Sequence, residues 1–258
     1  MINKDKKINM VILKTFYPIV LLVLAVSLTG EGLAQDARSI LEEVDRNMFS
    51  ENRIVESSMT IHGRRGSRSM EMRTYSVGNE KSFTEYLSPP REAGTKMLKL
   101  ENQLWIYSPS TDRTIQISGH MLRQSVMGSD LSYEDMMEDR KLLDIYEAVI
   151  TGEETMDGRP AWILDLEAKV DDATYHRQKI WIDKERYVPL RQEMFAKSGQ
   201  LLKETEMRDV RRIGERWFPT TIIYKDALKQ GDGTEYRMTD IRLNQDIPDH
   251  IFTKAVLR

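Results

Sequence analysis

The chain has 258 residues, 40% hydrophobic and 31% charged, with 38 Lys+Arg against 41 Asp+Glu and no cysteine. That balance excludes a disordered or collagen-like chain, and the absence of cysteine excludes disulfides, a thiol nucleophile and thiolate metal ligation. The histidines, His62, His120, His176 and His250, are each more than fifty residues from the next, so metal-ligand spacing of the H-E-x-x-H kind is missing too.

The N-terminus places Lys4, Lys6, Lys7 and Lys14 ahead of an apolar run of ten residues, Ile19 to Leu28. That run is shorter than the roughly 20 residues of a membrane span. It leads to Gly32-Leu33-Ala34, a small-x-small cleavage pattern. The expectation is a cleaved signal peptide over 1–34 and a single secreted, periplasmic domain over 35–258. A retained anchor helix, the alternative, would have to run through Pro18. Without a cysteine at the cleavage point the chain cannot itself be diacylated as a lipoprotein. From Gln35 onward 34 Lys+Arg face 39 Asp+Glu, a net charge of -5. An acidic secreted chain is a poor nucleic-acid ligand, because phosphate neutralisation supplies most of that affinity.

Asp36 reads as an N-cap, followed by Ala37, Ile40, Leu41, Val44 and Met48 as one apolar stripe of an amphipathic helix. From Arg53 the period becomes two. Met59 and Ile61 share a face, as do Met70 and Met72, and Trp105 and Tyr107 alternate with Leu104 and Ile106. Alternation stops over 119–139, where Ser132 and Asp135 form a capping box for a short helix ending near Met137. Strands resume at Ala148 and Ile150, turn at Asp157-Gly158, and place Trp162, Leu164 and Leu166 on one face. Further runs at Ile180–Ile182, Val188–Phe195, Leu201–Val210, Trp217–Tyr224 and Tyr236–Ile241 bring the expected total to roughly ten to twelve strands. Short turns and no helical crossovers make the sheet antiparallel.

A large antiparallel sheet with bulky apolar residues on one face either packs solid or surrounds a cavity. Thirteen of the 15 methionines follow residue 34, and flexible thioether side chains suit a surface that grips cargo of variable shape. Within the 119–139 insert, Met121, Met127, Met136 and Met137 mix with Arg123, Asp130 and Glu134. It reads either as a lid, its inner face Met121, Met127 and Met136 and its outer face Arg123 and Asp130, or as a loop tucked over the core. Enzyme motifs are sparse: there is no G-x-S-x-G elbow, phosphate loop or dinucleotide fingerprint. Gly128-Ser129-Asp130 has no histidine near it in sequence, and Asp171-Asp172 and Asp232 lack the alternating oxygen ligands of a calcium loop.

The run Leu104-Trp-Ile-Tyr-Ser-Pro-Ser-Thr-Asp-Arg-Thr-Ile-Gln-Ile-Ser, continuing into His120-Met-Leu-Arg-Gln-Ser-Val-Met-Gly-Ser-Asp, resembles the signature of bacterial outer-membrane lipoprotein-sorting proteins with a LolA/LolB-like fold. So do Asp157-Gly-Arg-Pro-Ala-Trp, Ile180-Trp-Ile-Asp with Tyr187-Val-Pro-Leu-Arg, and Ile247-Pro-Asp-His-Ile-Phe. The resemblance implies a mainly β fold, an antiparallel sheet curled into an incomplete, half-open barrel with helices plugging its mouth. It also implies a periplasmic carrier that moves acyl chains of lipoproteins or other lipids from the inner towards the outer membrane. Neither the histidine spacing nor the Asp-rich turns make a ligand set, so no metal is expected, and no cofactor. Candidate cavity positions are Met72, Leu104, Trp105, Ile106, Tyr107, Trp162 and Trp181, with Met121, Arg123, Met127 and Met136 in the insert. A chain of about sixteen carbons is worth on the order of 12 kcal/mol in a bilayer. Extraction therefore implies a powered inner-membrane transporter as partner, an outer-membrane acceptor, and a monomeric carrier between them. A lipid-active hydrolase and a lipoprotein-sensing regulatory module are the alternative readings.

Overall fold

Residues 36–64, 66–138 and 140–258 are described by the computed structural model; the proposed leader, 1–34, and its cleavage point lie outside them. Helix α1 (36–48) comes first, with Asp36 already inside the helix. Strands follow as β1 (Asn52–Gly63), β2 (Gly66–Val77), β3 (Lys81–Ser88), β4 (Lys96–Leu100), β5 (Gln103–Ser108) and β6 (Arg113–Ile117). Two short helices, α2 (Tyr133–Met137) and α3 (Leu142–Ile145), precede β7 (Tyr146–Met156), β8 (Arg159–Ala168), β9 (Arg177–Asp183) and β10 (Pro189–Phe195). The last strands are β11 (Leu201–Ile213), β12 (Arg216–Asp226) and β13 (Gly233–Leu243).

Among the described residues thirteen strands form one antiparallel sheet, in the order β6-β5-β4-β3-β2-β1-β13-β12-β11-β10-β9-β8-β7. The count exceeds the sequence expectation because the stretch from 96 to 117 folds as three short strands. Its turns put Glu101 (φ 50°) and Asp112 (φ 47°) in the left-handed region; the first, Glu101-Asn102, has no glycine or proline to advertise it, whereas the second carries Pro109. At Asp157-Gly158, by contrast, both residues have positive φ, 49° and 77°, as a two-residue hairpin turn requires.

Every strand pairs with its neighbour in sequence except at one place. β1 pairs with β13 in the middle of the sheet, leaving β6 and β7 as unpaired edges. The sheet is therefore an incomplete barrel, and the 118–145 connection runs between its two open edges.

Strand pairing puts one continuous set of side chains on the inner face: Met59 lies opposite Met70 and Tyr236, Met207 opposite Ile222, and Leu164 opposite Ile180. Two apolar clusters fill its flanks. Ala37, Ile40, Leu41 and Val44 of α1 pack on Leu164, Leu166, Ile180 and Ile182 of β8 and β9. The insert packs Val126, with Met121, Met127 and Met137, on a methionine-rich floor of Met59, Met70, Met72 and Met97. The outer face of β3 to β5 is covered separately. There Phe83, Leu98 and Trp105 lie under Phe252 and Leu257 of the two C-terminal 3-10 turns, Asp249–Phe252 and Lys254–Leu257.

Candidate functional site

Between the two clusters the central strands leave the inner face open. A cavity of about 240 Å³ is lined by Val55 of β1, Phe218 and Ile222 of β12, and Met238, Ile241 and Leu243 of β13. Met48 and Asn47 approach it from the end of α1, and Arg53, Arg216, Tyr224 and Tyr236 supply its polar groups. Two further cavities meet it at Tyr224. One of about 290 Å³ runs beneath α2, past Met72, Lys99 and Met136. The other, about 220 Å³, lies along Met194, Met207, Thr205 and Tyr146. Burial pushes the phenols of Tyr224 and Tyr236 up, so both remain neutral donors at any physiological pH. Ser57 Oγ donates to Tyr236 Oη at 2.8 Å. The strip is thus hydrocarbon bordered by hydroxyls and two guanidiniums, suited to an amphiphile rather than to a fully polar ligand.

The insert is tied down by charged groups. Asp135 and Lys203 form an ion pair with side chains 11% and 7% exposed. The Asp135 carboxylate also accepts from Tyr175 Oη, from Ser132 N at 2.6 Å and from Ser132 Oγ at 2.8 Å. Burial pushes this carboxyl up, but the Lys203 charge and the donated hydrogen bonds outweigh it and hold it below the usual carboxylate range. The same carboxylate closes the capping box of α2, with Asp135 N donating to Ser132 Oγ at 3.1 Å. Asp130 faces inward: its carboxylate accepts from Thr234 Oγ1 at 2.6 Å and from Asp226 N at 3.2 Å. Lys229 Nζ donates to Ser129 O at 2.7 Å, Lys99 Nζ to Met137 O at 3.1 Å, and Arg68 Nη2 to Met127 O.

Strand parity and the insert's path place the sequence candidates. Met72 lies on the inner face and lines the cavity beneath α2, as does the partly exposed Met136. Leu104 and Ile106 belong to the methionine-rich cluster, against which Met121 and Met127 pack from above. Arg123 is exposed. Trp105 and Tyr107, one residue out of phase, face the opposite side with the C-terminal turns, and Lys254 Nζ sits 3.9 Å from the Trp105 ring centroid. Trp162 packs beside the α1 cluster, 5.4 Å from Tyr187 between ring centroids. Trp181 alternates with Ile180 and Ile182 and therefore points outward, donating Nε1 to Glu154 at 2.7 Å. Ser129 is fully buried and exchanges hydrogen bonds with Leu131 inside its own turn. Among the described residues no group of three or more His, Asp or Glu converges as a metal site.

Arg53, Arg216, Phe218, Tyr224 and Tyr236 were not singled out from sequence. The only signal was their parity: Arg216, Phe218, Ile222 and Tyr224 are spaced by even numbers along β12. Without knowing which face looks inward, parity selects no side.

A family model with the description "-like: Uncharacterized protein" matches residues 78–258. No curated protein matches the chain. Among solved structures, a domain from Vibrio parahaemolyticus named for outer membrane lipoprotein sorting aligns with TM-score 0.76 at 24% identity, covering 87% of this chain and 99% of that one. A DUF1329 family protein from Desulfovibrio piger aligns with TM-score 0.79 at 24% identity over 88% of this chain and 99% of its own. A LolA superfamily protein from Nitrosomonas europaea aligns with TM-score 0.70 at 28% identity over 85% and 98%. The half-open sheet is therefore the LolA-like fold.

Proposed function

We propose that this chain, which belongs to the family whose model spans its residues 78–258 and has the LolA-like fold, is a periplasmic carrier that binds acyl chains of lipids or lipoproteins. The observation that carries the reading is the open apolar strip at the centre of the inner face, where Val55, Ile213, Phe218, Ile222, Met238, Ile241 and Leu243 line a cavity left unfilled by both α1 and the insert. Such a cavity is small against the roughly 300–1,000 Å³ of most ligand sites. A longer chain would extend past Tyr224 into the two adjoining cavities, where the methionines at 72, 136, 194 and 207 offer adaptable contacts. Cargo held on the open inner face of the central strands, with hydroxyls and an amide among the contacts, is held less tightly than in a closed core, which favours release to an acceptor. In this reading the chain is a monomer without cofactor, loaded by an inner-membrane transporter and unloaded at an outer-membrane acceptor.

Native mass spectrometry of protein purified from the periplasm tests it. The expected result is a lipid adduct that dissociates on mild activation, with no fatty acid released when the protein is incubated with phospholipid. Protein that carries no lipid and takes none from vesicles would overturn the carrier reading, and steady release of fatty acid would replace it with a hydrolase.

A further inference from the structure

The central cavity has an uneven distribution of charge. Among the described residues its lining includes two arginines, Arg53 and Arg216, and no aspartate or glutamate, although acidic residues outnumber basic ones in the whole chain, 41 to 38. Both arginines lie where α1 runs into β1: Arg53 follows Ser50 by three residues, and the neighbouring Trp217 N donates to Asn47 Oδ1 at 3.3 Å. Nη1 of Arg216 is buried and has no hydrogen-bond partner. The polar cleft that Arg216 also borders contains Glu42, Asp45 and Asp144, yet none of them takes that proton. A buried guanidinium donor left unpaired is a standing cost, and the groups that relieve it best are planar or tetrahedral anions, which form short charge-assisted bonds. The apolar walls, Val55, Ile213, Phe218, Ile222, Met238 and the β13 end at Ile241 and Leu243, suit hydrocarbon, and the polar groups left beside the arginines are neutral amides and hydroxyls such as Asn47, Thr74 and Tyr236.

We infer that this cavity recognises a single-chain anionic amphiphile, with its carboxylate or phosphate at Arg216 and Arg53 and its hydrocarbon against β12 and β13. The inference rests on the carrier reading and narrows it. The acylated terminus of a lipoprotein presents neutral esters and amides beside its chains, which give Arg216 Nη1 no charge-assisted bond, whereas a free fatty acid or a lysophospholipid supplies an anion that can. The cavity, about 240 Å³, also suits one chain rather than two.

The test is competition against a bound fluorescent fatty acid, using the lipid-stripped full-length mature protein and probes of one chain length: decanoate, decyl phosphate and decanol, all below micelle formation, with inorganic phosphate as the chain-free control. One or both decyl anions should bind at least about tenfold more tightly than decanol, the scale of one charge-assisted contact. Which of the two binds more tightly identifies a carboxylate or a phosphate cargo. Arg216→Gln should abolish that preference while decanol binding stays within about twofold of the parent. Arg53→Gln provides the same reading should the first variant fold poorly. Equal binding of decanol and both anions by the parent protein would overturn the inference and leave the carrier reading intact. No binding of any decyl probe would overturn both. Inorganic phosphate binding as tightly as decyl phosphate would make this a site for the free anion and remove the amphiphile.

Discussion

Replacing Lys203 with methionine tests whether the insert is a clamped bridge between the sheet edges. The substitution conserves most of the volume and removes the charge facing Asp135, a carboxylate whose side chain is only 11% exposed. Removing one partner of a buried ion pair costs about 3–5 kcal/mol, because the remaining charge is left desolvated. Here Tyr175 and Ser132 still donate to Asp135, which argues for the lower end, about 3 kcal/mol. In a domain of this size that corresponds to a fall in Tm of roughly 6–12 °C. Urea unfolding of Lys203→Met, Asp135→Asn and the double variant measures it. Each single variant should lose a similar amount, and the double should lose much less than their sum, since neither charge is then stranded. Hydrogen exchange should locate the loosening at residues 130–138 before it appears in β8 or β9. Single variants within about 0.5 kcal/mol of the parent, or strict additivity in the double, would refute the clamp.

Four further outcomes follow from the same contacts. Met127→Glu sets a carboxylate against the methionine-rich cluster and should destabilise the protein by about 1–3 kcal/mol, read by thermal unfolding; an unchanged Tm would mean that the 119–139 insert moves as a lid. Trp105→Ala opens the outer-face cluster under the C-terminal turns, so it should cost about 3–5 kcal/mol of stability while leaving acyl-probe affinity unchanged once the protein is folded. Asp135 and Asp183 are both held below the ordinary 3.8: burial raises each, but Lys203 for the first, and Arg159 with the amides of Arg186 and Glu185 for the second, outweigh it. Their contribution to stability is complete above that ordinary value and is lost as pH falls through the lower folded-state values, so the unfolding free energy should fall steeply below about pH 4; a rise there would contradict the assignment. Addition of EDTA should leave Tm unchanged, and a fall reversed by calcium would reveal a metal site that the sequence spacing does not announce.

The alternation of side chains was sufficient to determine a mainly antiparallel sheet with an amphipathic helix before it and a helical interruption near 119–139. Period two and period 3.6 are local consequences of backbone geometry, and the stripe Ala37, Ile40, Leu41, Val44 and the capping box of Ser132 and Asp135 are written in a few consecutive residues. What periodicity cannot carry is which face turns inward. Trp105 and Leu104 are equally apolar and adjacent, yet one lies beneath Phe252 and the other beneath the insert. That choice was made by pairing β1 with β13, which brings Met59 beside Tyr236 across 177 residues of chain and sets the parity of every other strand. The same pairing assembles the cavity, since Arg53 and Arg216 come from opposite ends of the sequence and meet only because β12 and β13 return beside the first strand. Local sequence determines the elements through short-range sterics and burial, while the site depends on contacts between distant strands whose closure only the folded sheet decides.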